Sequence, residues 1–279
     1  MNFDNAKFII IPAPIEKTVS YGAGTANGPQ AILDAWPNLE FYDEDTDSEP
    51  QNYGIHTLTP ENYENLTIEE SINKLEQICL PIFKDKKIPF VLGGEHSLSI
   101  APIRALKKIN NDFTVIHLDA HADLREEYEG AKSSHACIMK RVYDENIPFI
   151  SLGIRSLSKE ESILIKQNNL NIFYAKDIVR DIKTIDIALK KIKTKNIYIT
   201  FDIDVFDPSI IPATGTPEPG GLNWYDIMYV FEKLRDSQKN ILGFDLVELA
   251  PRKEMPASDF ICAKLIFKAM ALIQLKIKN

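Results

Sequence analysis

The chain has 279 residues, 44% hydrophobic and 26% charged, with a formal net charge of −8. That is enough apolar material for a sizeable core, and without a linker, low-complexity tract or internal repeat it reads as one domain over residues 1–279. The acidic balance argues against nucleic acid and suits a cationic partner, while three scattered cysteines, Cys79, Cys137 and Cys262, exclude a disulfide framework or a cysteine-based zinc finger and fit a reducing compartment.

The opening Met1-Asn2-Phe3-Asp4-Asn5 lacks the basic region of a signal peptide, and the apolar run Phe8 to Ile11 is too short to span a bilayer, so a cytoplasmic protein is expected. Strand character then appears at Lys7 to Pro12, Pro89 to Leu92, Phe113 to Leu118, Phe149 to Leu152, Ile172 to Tyr174, Ile197 to Phe201 and Ile241 to Val247. Between these runs, helical spacing of apolar positions marks Ile68 to Lys84, Ser97 to Lys108, His135 to Glu145, Ser158 to Gln167, Asp181 to Lys193, Trp224 to Asp236 and Ser258 to Ile277. Alternating strands and helices predict an α/β fold with a mainly parallel sheet covered on both faces. In such folds ligands collect at the carboxyl ends of the strands. There His96, Asp119, Asp202 and Glu248 each follow a predicted strand.

Two short segments carry chemistry. Asp119-Ala120-His121-Ala122-Asp123 and Asp202-Ile203-Asp204 follow buried strands, and a period of two sends alternate side chains to one face. Carboxylates gathered this closely repel one another unless protons or cations intervene, and a divalent metal is the simplest solution. His117 has the parity of Asp119 but sits one step deeper, as a satisfied core histidine would. His56 reads as a surface or packing residue, Glu95 as structural, and Asp207-Pro208 as a turn. The segment Gly215 to Gly221 lacks the context of a phosphate loop. Lys264, Lys268, Lys276 and Lys278 of the last helix read as a solvated outer face.

The motifs Gly93-Gly94-Glu95-His96-Ser97, Asp119 to Asp123 and Thr200 to Pro208 resemble, in this order, the three signatures of the ureohydrolase superfamily of arginases and agmatinases. Gly24-Thr25-Ala26-Asn27-Gly28-Pro29, Gly215 to Gly221, and Glu248 with Pro251 extend the likeness over nearly the whole chain. The resemblance implies a three-layer α/β/α fold around a parallel sheet of about eight strands, two Mn²⁺ ions bridged by a hydroxide, and a homotrimer or homohexamer. It assigns His96, Asp119, Asp123 and Asp202 to one metal, and His121, Asp119, Asp202 and Asp204 to the other. It further implies that Glu248 orients a guanidinium, that Asp123 passes a proton to the leaving amine, that His135 shuttles protons, and that Thr216 touches the guanidinium end. Urea and a free amine are the implied products.

Substrate choice is read from Leu124 to Ser134, where Glu126, Glu127 and Glu129 surround Tyr128. An acidic loop attracts an amine tail, with Glu127 and Tyr128 as its binding residues, and rejects a carboxylate. This favours agmatine, cleaved to putrescine and urea. Aminopropylagmatine satisfies the same electrostatics. Guanidinobutyrate or arginine would need a counter-charge from Arg125, Lys132 or Arg155, and a catalytically silent homologue would keep the metal ligands alone.

Overall fold

The computed structural model describes residues 1–278, with side chains as far as Ile273. Runs rich in β-branched and aromatic residues form eight strands, β1 (Phe8–Ala13), β2 (Ile55–Thr57), β3 (Ile88–Gly93), β4 (Phe113–Leu118), β5 (Phe149–Ile154), β6 (Ile172–Tyr174), β7 (Asn196–Asp202) and β8 (Asn240–Val247). They make one sheet in the order β2-β1-β3-β8-β7-β4-β5-β6. All the pairings are parallel. The helices are α1 (Gly28–Ala35), α2 (Ile68–Lys84), α3 (Ile100–Lys107), α4 (Ile138–Asp144), α5 (Lys159–Asn168), α6 (Ala175–Arg180), α7 (Thr184–Leu189), α8 (Trp224–Asp236) and α9 (Ala257–Lys278).

Strand alternation divides the core into two layers. Ile116, Leu118, Ile199, Phe201 and Phe244 pack with α1 and α6 to α9, whereas Val115, Tyr198 and Val91 pack with α2 to α5. The first layer is built on an aromatic row, with Phe244 stacked between Phe90 and Phe201 at ring separations of 5.5 and 6.1 Å. Helices on both faces give the three-layer α/β/α architecture expected from the sequence. Among the described residues no helix is long and apolar enough to cross a membrane.

The differences from the sequence reading have local causes. β2 was not expected, because three edge residues paired to β1 alone are too few to show a period. His56 lies on it, bonded to the Met1 carbonyl at 2.8 Å and edge-on to Phe3, as a packing residue. α1, which starts with Pro29 in its first turn, was also missed. The helix expected over Asp181 to Lys193 is shortened to α7, and α6, which precedes it, was not expected. Asp181 ends α6 in extended backbone and accepts from the Lys183 N–H at 3.0 Å, a turn that competes with helix.

The largest correction is Lys268. It is not solvated but 6% exposed, with its ammonium at 2.9, 3.0 and 2.7 Å from Asp43, Glu44 and Asp45. Burial opposes this charge, yet the three carboxylates raise its pKa above the usual lysine range. The Lys276 and Lys278 side chains lie outside the described residues. Because Asp43 is fully buried, Lys268→Met should leave an uncompensated charge and cost about 3 kcal/mol of unfolding free energy. Urea denaturation reads this as a lowered midpoint at constant slope; an unchanged midpoint would refute it.

Candidate metal centre and active-site cleft

The sheet order brings the functional strand ends together. β3, β8, β7 and β4 are consecutive neighbours, with Leu92 beside Leu246, Phe201 beside Leu246 and Leu118 beside Phe201. One residue past these positions stand Asp119 and Asp202, and two past Leu246 stands Glu248. His96 opens the short 3₁₀ turn that follows β3. β3 and β4 are successive in the chain but separated in the sheet by β8 and β7, a topological switch point of the kind that opens a ligand crevice.

Convergence does not come from strand alternation alone. Asp119 lies beyond β4, and its Oδ1 accepts from the His121 N–H at 2.5 Å. Asp204 lies in a 3₁₀ turn over Ile203–Val205, where Asp202 Oδ1 accepts from its N–H at 2.8 Å. Asp204 Oδ1 in turn accepts from the Ala120 N–H at 3.0 Å, tying the two acidic segments together. The bends, not the pleat, aim the carboxylates.

His96 Nδ1 faces Asp119 at 2.9 Å, Asp123 at 3.3 Å and Asp202 at 3.4 Å. His121 Nδ1 lies 2.9 Å from Asp204 and 3.5 Å from Asp119. Ligand atoms of His96, His117, Asp119 and Asp123 fall within 4.8 Å of one another, as do those of Asp119, His121 and Asp204. Asp119 is common to both groups. His117 is near enough to ligate, but its Nε2 is 2.8 Å from Asp119 and its Nδ1 3.0 Å from Ser151 Oγ, so both ring nitrogens are engaged and it buttresses Asp119.

The protein's own charges do not balance here. Burial, then Asp204 and Asp119, pushes the Asp202 carboxyl well above its usual range, and burial with Asp119 raises Asp204. Burial pulls the His96 and His121 imidazoles down, but the surrounding aspartates more than reverse this. Each imidazole therefore demands either a proton or another cation. The geometry at His96 distinguishes these, because Nδ1 has no hydrogen-bond partner despite three nearby carboxylates. Its opposite nitrogen is 2.9 Å from Thr200 Oγ1, and Thr200 donates its only proton to Asp245 at 2.7 Å. Thr200 must accept from His96 Nε2–H, which leaves a bare lone pair at Nδ1 directed among the carboxylates. A divalent cation fits this donor set.

Asp245 is fully buried and also accepts from Ser99 Oγ and Tyr198 OH, each at 2.8 Å. Thr200→Val should free His96 to adopt the other tautomer and weaken divalent-metal binding about ten- to a hundredfold. Calorimetric titration of the metal-stripped chain with Mn²⁺ measures this, and wild-type affinity in the variant would rule it out.

Above the cluster lies a cleft of about 240 Å³, lined by His96, His121, Asp123, Asp202, Asp204 and Glu248 at its base. Glu248 accepts from the His96 N–H at 2.6 Å, and burial raises its carboxyl to about 8. Both Asp123 and Glu248 have left-handed backbone, with φ of 52° and 67°. Their conformations are held by hydrogen bonds from Lys140 N to Asp123 O at 3.0 Å and from Glu248 N to Gly94 O at 2.8 Å. Thr216 lines the cleft. Its neighbour Gly215 lies against Gly22, where a Cβ would come within 2.7 Å of the Gly215 oxygen, so this approach of two loops requires glycine.

His135 and Tyr128 both line the cleft, their rings edge to face at 5.6 Å. Glu127 is exposed and is not part of the lining. Glu126 faces Lys132, Lys140 and Arg141 instead. Arg155 donates to the carbonyls of Gly153, Asp204, Val205, Phe206 and Glu218, which spends its guanidinium on the frame. Of the proposed counter-charges, only Arg125 reaches the lining, with its guanidinium 5.2 Å from the Tyr128 ring centre.

Sequence reasoning overlooked Glu161 and the Val19 to Gly22 loop, which also line the cleft. Glu161 had a signal in Ser158-Lys159-Glu160-Glu161, a capping box, and it accepts from Ser158 N and Leu124 N at 2.6 and 2.8 Å. Glu95 accepts from Lys17 N, Thr18 N and two hydroxyls, and so anchors the loop beside it. Asp207 caps a turn as expected, and hydrogen bonds from Ser209 and from Gly221 and Gly220 hold its carboxyl at about 2.

A cation-demanding acidic cluster at the carboxyl rim of an all-parallel α/β/α sheet defines an α/β protein with a candidate metal centre. The arginase family profile matches residues 6–272, and the chain belongs to that family, within the ureohydrolase superfamily and close to its agmatinases. The N(1)-aminopropylagmatine ureohydrolase of Synechocystis sp. is 35% identical over 96% of this chain and 90% of its own length. The agmatinase of Halalkalibacterium halodurans is 33% identical over 97% and 93%. The crystal structure of the agmatine ureohydrolase of Thermoplasma volcanium superposes with a TM-score of 0.91 at 31% identity, covering 100% of this chain and 93% of that one.

Proposed function

We propose that this chain, as a single ureohydrolase domain, cleaves the guanidino group of agmatine with water to give urea and putrescine. The observation that carries this reading is the convergence of Asp123, Asp202, Asp204 and Glu248 on the lining of one cleft, with Asp119 buried against them, a surface built for cations. His96, Asp119, Asp123 and Asp202 would hold one Mn²⁺, and His121, Asp119, Asp202 and Asp204 a second. When bound, the paired ions supply a water of lowered pKa and charge to stabilise the tetrahedral centre.

The remaining work belongs to the chain. Glu248, a cleft-lining carboxylate outside both ligand sets, pairs with the planar guanidinium and sets its carbon toward the nucleophile. Asp123 takes the proton that the attacking water loses and returns it to the nitrogen of the departing amine, so no net charge accumulates in the site. His135, which also lines the cleft, passes the second proton of the water to solvent. Tail choice follows the same electrostatics, since an acidic floor repels a carboxylate tail and Arg125 is held over Tyr128.

A second reading has support of its own. Relatives at 35% and 32% identity are named N(1)-aminopropylagmatine ureohydrolases, and a longer cationic tail would pass between Tyr128 and the exposed Tyr21 at the cleft mouth. Urea release with Mn²⁺, compared across agmatine, N(1)-aminopropylagmatine, guanidinobutyrate and arginine with and without chelator, tests both. Metal-dependent turnover should favour the amine-tailed pair by about a hundredfold, and their ratio chooses between the readings. Glu248→Gln should lower turnover about 10³-fold. Urea from none of the four would leave a catalytically silent metal-binding homologue.

A further inference from the structure

The imidazole of His135 does not stand free in the cleft. Its Nδ1 lies 3.1 Å from Thr18 Oγ1, and its backbone N–H donates to the same oxygen at 3.1 Å. Thr18 Oγ1 also lies 2.9 Å from Oε1 of Glu95, a side chain with no exposure. The donors around Glu95 decide which way these bonds run. Its Oε2 receives the Lys17 and Thr18 N–H groups at 2.7 and 2.6 Å, and its Oε1 also receives Ser97 Oγ at 2.5 Å. Glu95 is thus the common acceptor, and the single Thr18 hydroxyl proton is drawn toward it. Thr18 Oγ1 is left with lone pairs only for His135, so Nδ1 must bring the proton. Ser134 Oγ, the other polar group near that nitrogen, is further away at 3.3 Å.

We propose that Glu95 and Thr18 are positioning residues that fix His135 as its Nδ1–H tautomer, so that Nε2 is the nitrogen that gives and takes protons in the cleft. The kinetic consequence rests on the reading of His135 as proton shuttle; the tautomer does not. Thr18 is followed directly by the cleft-lining Val19 to Gly22, so the same joint sets the height of that loop over the site.

The full-length chain with Mg²⁺ in place of paramagnetic manganese allows long-range ¹H–¹⁵N spectra of its imidazoles, with His135 assigned by its loss in His135→Asn. Wild type and Thr18→Ser should show Nδ1–H. Thr18→Val, which keeps the shape but removes the acceptor, should shift His135 toward Nε2–H. Glu95→Gln should do the same for another reason. Its amide oxygen must face the two backbone N–H groups, so its amide nitrogen donates to Thr18 and turns the Thr18 proton onto Nδ1. With the Mn²⁺-loaded enzyme, Thr18→Val should lower kcat about ten- to a hundredfold at unchanged KM, with recovery in Thr18→Ser. Retention of Nδ1–H in Thr18→Val, or equal loss of kcat in the Val and Ser variants, overturns the proposal. If no guanidino compound is hydrolysed, the functional reading fails while the spectra still decide this one.

Discussion

Five carboxylates crowded at one rim of the sheet, four of them lining a single cleft, are the constraint around which the rest of this molecule is arranged. Buried charge of one sign is costly, and the cost is met here by a graded set of partners. Backbone N–H groups of His96, Ala120, His121 and Asp204 each point at a carboxylate oxygen. The half-buried guanidinium of Arg155 adds a fixed positive charge whose nearest acidic influences include Asp204 and Asp119. Imidazoles fill the centre. What these groups leave uncompensated is negative charge that bound cations would balance.

The two faces of the sheet divide the labour. On the face covered by α8 and α9, the central strands present Phe90, Phe201 and Phe244, an apolar row with no polar atoms to satisfy. On the other face the same strands carry His117, Thr200 and Asp245, which pass hydrogen bonds up to His96 and Asp119. The aromatic layer fixes the spacing of the strand ends, and the polar layer fixes the orientation of the groups they carry. Because every strand runs the same way, both effects arrive at the same rim.

The legible part of this architecture was the part written in local pattern. Continuous apolar runs marked seven strands, and Asp-x-His-x-Asp after one of them marked the candidate metal site, since no packing demand explains acids there. Elements without a pattern were not legible: β2 is three residues long, and the break between α6 and α7 depends on one aspartate folding back on its own chain. Long-range partnerships were hidden altogether. Nothing near Lys268 in the chain announces Asp43 to Asp45, and nothing near His135 announces Thr18, 117 positions earlier. The acidic run Glu126 to Glu129 misled in the opposite sense. Its charge is conspicuous in the sequence, yet Glu126 is directed to Lys140 and its neighbours, and Glu127 faces solvent.

The left-handed backbone at Asp123 and Glu248 places the chain's most consequential acids where L-residues are least comfortable. Strain of this kind is relieved by glycine or asparagine, which adopt such a conformation at little cost. Selection for heat resistance alone would then drift toward these residues at both positions and return a sturdier protein with an empty repertoire. The two acids thus stand where folding alone would favour other residues, a stability cost of the kind that a working cleft exacts from its scaffold.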